Sequence, residues 1–107
     1  MGITSKLNHE LPKCEWKMVA LVPIPWREFS TKWGISFEEN EEWEAPGPVA
    51  YASAYSEDSR MWYALEHHFD HLRPGVYFFV PAGTENSIEV LAQDLDLPAE
   101  FLVPMRI

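Results

Sequence analysis

Val76-Tyr77-Phe78-Phe79-Val80 is the stretch whose reading decides the fold. Its five residues are all β-branched or aromatic, and they lie between two turn signals, Pro74-Gly75 and Pro81-Ala82-Gly83. A short apolar run of this kind reads as a strand buried on both faces, hence central in a sheet. Upstream, Val49 to Tyr55 alternates Val49, Tyr51, Ser53 and Tyr55 with Ala50, Ala52 and Ala54. On a strand this gives one bulky face and one smooth face, and the alanine face admits a helix at close range. Cys14 to Val22 is a further strand, alternating at first and then apolar through Val19-Ala20-Leu21-Val22, with Pro23 and Pro25 to stop it. Ile35-Ser36-Phe37 suggests a short strand. Phe101 to Met105 suggests a last one, where Pro104 requires an edge position.

Between these runs the period changes. Pro25 suits the first turn of a short helix, Trp26, Phe29 and Trp33 follow at i, i+3 and i+7, and Gly34 is a natural stop. That aromatic stripe predicts core packing. The segment from about Ser59 to Leu72 reads as the longest helix, capped by Ser56, Asp58 or Ser59. Met61, Trp62, Leu65, His68, Phe69 and Leu72 would form its apolar side, with Glu66, His67, Asp70 and Arg73 outside. Another helix, capped by Thr84 or Ser87, turns Ile88, Leu91, Ala92 and Leu95 inward. The expectation is an α+β fold: one small domain over residues 14–107, with a mainly antiparallel sheet of about four to five strands packed against two main helices and one short helix. Residues 1–13 are polar, with isolated Leu7 and Leu11, and read as a loosely ordered N-terminal arm.

A chain of 107 residues with 47% hydrophobic and 14% aromatic content suffices for one core and hardly for two domains. The net charge of −9 is unevenly placed. Residues 1–32 carry five Lys/Arg and three Asp/Glu, whereas residues 33–107 carry three Arg and fourteen Asp/Glu. Such a field repels nucleic acid and anionic lipid and attracts basic protein surfaces. Cys14, the sole cysteine, excludes an internal disulfide. No run reads as a signal peptide or a membrane span, so a cytoplasmic protein is expected.

The acid is concentrated in Glu38-Glu39-Asn40-Glu41-Glu42-Trp43-Glu44, where five of seven residues are glutamates. Mutual repulsion favours a solvated loop or a frayed edge over a rigid helix. A purely solubilising segment has no reason to expose a tryptophan, whereas interfaces favour one as an anchor. Glu38, Glu39, Glu41, Glu42, Trp43 and Glu44 are therefore the candidate partner-binding residues. Glu57 and Asp58, placed at the start of the expected long helix, extend the patch. The function this suggests is an acidic inhibitor or neutraliser of the immunity-protein or antitoxin kind, covering a basic surface of a partner such as a nuclease toxin.

The alternative is a small ligand- or metal-binding domain, possibly enzymatic. Trp16, Trp26, Trp62, Tyr51, Tyr55 and Tyr77 would line its pocket, and His67 and His71, four apart on a helix, would share a metal at its rim. The metalloprotease pattern wants Glu directly after the first histidine, and here that position is His68. The glutamates are too densely spaced, and lack the turn glycine, for a calcium loop. No nucleophile elbow or phosphate-cradling glycine loop is present. The expectation is thus a protein that is not an enzyme and needs no cofactor or metal. Ser87 to Pro98 has the apolar spacing of a helix that opens a helix-turn-helix, but Pro104 leaves no room for a recognition helix after it.

Overall fold

The computed structural model describes residues 2–40, 49–69 and 74–105. Among them, seven strands form one antiparallel sheet, with two helices and two 3-10 turns. The strands are β1 (Thr4–Lys6), β2 (Trp16–Val22), β3 (Glu38–Asn40), β4 (Val49–Ser56), β5 (Met61–His68), β6 (Val76–Pro81) and β7 (Val103–Pro104). The helices are α1 (Trp26–Trp33) and α2 (Ser87–Leu95), and the 3-10 turns are Asn8–Glu10 and Ala99–Phe101. The order across the sheet is β1-β4-β5-β6-β2-β7, and β3 joins β1 along the outer side of β4. The architecture is α+β, as the alternation of periods predicts, with more strands than expected.

The apolar run at Val76 takes the interior position its composition requires, between β5 and β2. One face of the sheet carries the core. Ala52 and Ala54 of β4, Tyr63 and Leu65 of β5, Val76, Phe78 and Val80 of β6, and Ala20 and Val22 of β2 all turn to that side. A register shift between Met18 and Ala20 brings Val19 into the same cluster. Against this face α1 lays Phe29, with its ring 5.5 Å from that of Phe78, and α2 lays Leu91, Ala92 and Leu95. Trp26 and Trp33 flank Phe29 as partly buried core contacts, so the stripe on α1 packs inward. Gly34 closes α1 in the left-handed region at φ 66°. Within the described residues no helix is long and apolar enough to cross a membrane.

Two expectations need correction. The segment expected to be the longest helix is instead the strand β5, entered by a hairpin turn at 57–60 in which Arg60 has φ 57°. Tertiary context overrides local propensity here. Met61, Tyr63, Leu65 and His67 face the helices, while Trp62, Ala64, Glu66 and His68 face away. Bulky residues on both faces of a strand paired on both sides mask the two-residue alternation. Part of the N-terminal segment pairs with the sheet. Ile3 is buried, Thr4–Lys6 pair with Tyr55–Ser53, and Asn8 accepts a hydrogen bond from Ser53 Oγ, so Ile3 to Asn8 are tied to β4 and the core. The second correction is that the short strand expected at Ile35–Phe37 falls at Glu38–Asn40, because Ile35 and Phe37 are drawn into the core.

One polar group is built into the core side. Asp94 of α2, only 6% exposed, accepts hydrogen bonds from Ser56 Oγ at 2.7 Å, Ser59 Oγ at 2.6 Å and the Tyr63 hydroxyl at 2.6 Å. Burial first, and then the bond to Asp94, push the Tyr63 phenol far above its ordinary value. Because hydrogen bonds to a charged group contribute about 1.5–3 kcal/mol each, Asp94→Ala should cost about 3 kcal/mol or more and Tyr63→Phe about 1.5–3 kcal/mol in urea unfolding. A raised tyrosine pKa means that the folded protein holds a proton the unfolded chain releases above pH 10. That contribution is complete below pH 10 and is lost as the pH rises beyond it. Stability should fall in that range, less steeply in Tyr63→Phe; an identical slope in the variant would contradict the assignment.

Candidate functional site: an acidic edge and an aromatic second face

With both helices on one face, the composition of the other becomes the question. Strand pairing sets it out in rows. Glu38, Tyr51, Glu66 and Tyr77 form one row across β3, β4, β5 and β6. Lys6, Ser53, Ala64, Phe79 and Met18 form the next. Thr4, Tyr55 and Trp62 form a third, with the rings of Tyr55 and Trp62 4.8 Å apart, and Trp16 opposes Pro81 at the same end. Tyr51, Tyr55, Trp62, Phe79 and Trp16 are all partly exposed. This second face is therefore aromatic, with carboxylates toward one end.

The acidic run enters at the edge. Glutamates on a short edge strand keep it from pairing with other chains. The two glutamates described there point to opposite sides. Glu39, opposite Ala50, reaches toward α1, where its Oε1 lies 3.7 Å from Arg27 Nη2. Both side chains are well exposed (46% and 77%), so the pair contributes at most about 1 kcal/mol. Glu38 turns to the second face. Its Oε2 accepts from Asn8 Nδ2 at 2.9 Å, and Tyr51 hydrogen-bonds to it as well. That bond, then burial and the negative charge of Glu38, raise the Tyr51 phenol above its ordinary value.

Glu41, Glu42, Trp43 and Glu44 lie outside the described residues. Glu57 and Asp58 sit in the β4–β5 hairpin turn, not at a helix start. That turn is at the far end of β4 from the Glu38–Tyr51 pair, roughly 20 Å along the strand by the ordinary rise per residue. The structure brings Glu38 and Glu39 to one edge and sets Glu57 and Asp58 apart from them.

The histidines take new roles on a strand. Neighbours now face opposite ways. His67 lies on the helix side, its ring 6.3 Å from Trp26 and 5.2 Å from Phe69, with Nδ1 donating to the Gly75 carbonyl at 3.0 Å. His68 lies on the second face, with Nε2 2.9 Å from Glu66 Oε1 and its ring 5.9 Å from Tyr77. His71 is outside the described residues, and the helical geometry that would pair it with His67 does not exist at His67. Among the described residues no group of three or more His, Cys, Asp or Glu could hold a metal. The six aromatics of the alternative pocket divide as well: five face away from the helices, whereas Trp26 is on α1, against Phe37 and His67.

Sequence reasoning missed Asn8, Ser53 and Glu66, which meet on the second face. A cavity of about 190 Å³ lies there, lined by Asn8, Leu11, Tyr51, Ser53, Ala64 and Glu66 among others. Its only sequence signal is the small pair Ser53 and Ala64 between larger neighbours, and that requires the register of β5. Asp94 left a faint trace, a polar residue between Leu91 and Leu95 on the inward stripe of α2. Comparison with protein-family models, with curated proteins and with solved structures finds no match to this chain.

The Glu38–Tyr51 contact is open to test. In Glu38→Gln the Tyr51 phenol should ionise at lower pH than in the parent, followed by tyrosinate absorbance or ring-proton shifts. An unmoved titration would show that Glu38 does not hold the hydroxyl.

Proposed function

We propose that the protein is an acidic protein-binding module that neutralises a partner by occluding its basic surface, in the manner of an immunity protein or antitoxin set against a nuclease toxin. The observation that carries this reading is the pairing of a partly exposed aromatic sheet face with an acidic edge strand, in a chain of net charge −9. Carboxylates replace phosphates against lysine and arginine and speed encounter, while aromatic side chains supply the desolvated contacts that slow release. Occlusion involves no reaction, so the proposal is of a non-enzymatic protein acting in the cytoplasm, without cofactor, nucleic acid or membrane as its direct partner. Trp43 and the glutamates at 41, 42 and 44 extend the proposed surface in sequence from Glu38 and Glu39. Glu57 and Asp58 would contribute only to a partner long enough to span β4.

A ligand- or metal-binding domain has less support. The aromatic set is split between two faces, and the cavities of a size usual for a small-molecule site, about 510 Å³ beside Lys17, Ile88 and Met105 and about 470 Å³ beside Trp33, Asp58 and Gln93, are lined neither by His67 nor by any of those six aromatics.

The test is capture from a lysate of the native host by the immobilised protein at low and high salt, followed by kinetics with what is retained. A basic protein should be held, and its nucleic-acid binding or cleavage should be blocked. Glu41→Lys combined with Glu42→Lys should slow association at low salt, and Trp43→Ala should speed release. Retention of no basic protein, or binding indifferent to both changes, would overturn the proposal.

A further inference from the structure

On the second face a recess, a carboxylate and an aromatic ring meet beneath the N-terminal segment. Ser53 and Ala64, opposed across β4 and β5, form its floor, and the larger pair Tyr51 and Glu66 stands in the next row. Leu11 and Asn8 close it from above, and Val49 adds an apolar wall. Its polar groups are mostly engaged with one another. Asn8 accepts from Ser53 Oγ and donates to Glu38, and Tyr51 is bonded to Glu38. Glu66 differs. One of its oxygens meets His68, yet its side chain keeps 35% of its exposure and lines the recess.

A cavity of about 190 Å³ has room for one side chain rather than a cofactor. Its chemistry selects among side chains. The aliphatic wall of Leu11, Val49 and Ala64 suits a methylene stem. A carboxylate beside a tyrosine ring suits a planar cation, which can bond to the first while stacking on the second. Glu38 in the same row, and the net charge of −9, favour a positive occupant further. We infer that this cavity receives one arginine side chain of a basic protein partner, its guanidinium on Glu66 and against the Tyr51 ring. The inference rests on the neutraliser reading for its partner and adds an anchoring point that the acidic run alone does not supply.

The probe is N-acetyl-L-arginine amide, titrated into the isotope-labelled protein by NMR, with N-acetyl-L-citrulline amide as the uncharged analogue of the same shape. The arginine compound should perturb Tyr51, Ser53, Ala64 and Glu66, with an affinity on the order of millimolar for one isolated side chain. The citrulline compound should leave them in place. Glu66→Gln should weaken binding on the order of tenfold. Ala64→Leu, which fills the recess, should abolish it, with a dispersed spectrum showing that either variant is folded. Equal shifts from the two compounds, or binding unchanged in both variants, would overturn the inference. If a basic protein is captured with undiminished affinity by Ala64→Leu while the probe is silent, this inference fails and the neutraliser reading stands. Probe binding with no basic protein captured would overturn the assigned source of the arginine and the neutraliser reading together.

Discussion

A carboxylate buried beneath α2 governs which side of this sheet is closed. Asp94 cannot stay uncompensated at 6% exposure, and the hydroxyls of Ser56, Ser59 and Tyr63 answer it from one hairpin. These bonds fix α2 over the β4–β5 hairpin, with Leu91 and Leu95 on the same side as Tyr63 and Phe78. The pattern also fixes register. A slip of one residue in β5 would turn Tyr63 away from Asp94 and present Trp62 to the core instead. Three hydroxyls on one acid are thus a specificity device as well as a source of stability.

Closing one side defines the other. The large side chains that do not fit beneath the helices, Tyr51, Tyr55, Trp62 and Phe79, are carried on the second face. The N-terminal segment crosses part of that face, held by β1 pairing and by Asn8, and so turns a flat surface into one with a recess. Glu38 ties the acidic edge to the recess, because its carboxylate holds Asn8 and Tyr51, two residues of the recess lining. Under the proposed reading, electrostatic steering and a shaped anchoring point then belong to one continuous surface.

Much of this fold was legible in the sequence where one period dominated. β2, β4 and β6 were readable because their runs are bounded by proline and glycine, and α1 because Trp26, Phe29 and Trp33 keep helical spacing up to Gly34. β5 was not, since Met61, Trp62, Leu65 and Phe69 also fit a helix, and only pairing with two neighbours decides for a strand. That one difference put His67 on the helix side and His68 on the second face, the reverse of the expected helix, and removed the helical geometry for a metal. The N-terminal segment was illegible for a related reason: its partners, Ser53 and Glu38, lie 45 and 30 residues away. Of the candidate site, the acidic edge at Glu38 and Glu39 could be named in advance. The recess could not, because it exists only once the register of β5 is known.

The central claim is that the face away from the helices receives the partner. The most direct measurement is oxidative footprinting of the tryptophans, free and in complex with the basic protein that the chain retains. Trp62 and Trp16 lie on the second face, and Trp26 and Trp33 lie on the helix α1. The account predicts that the partner shields Trp62 and Trp16 and leaves Trp26 and Trp33 as reactive as before. Shielding confined to Trp26 and Trp33 would contradict it.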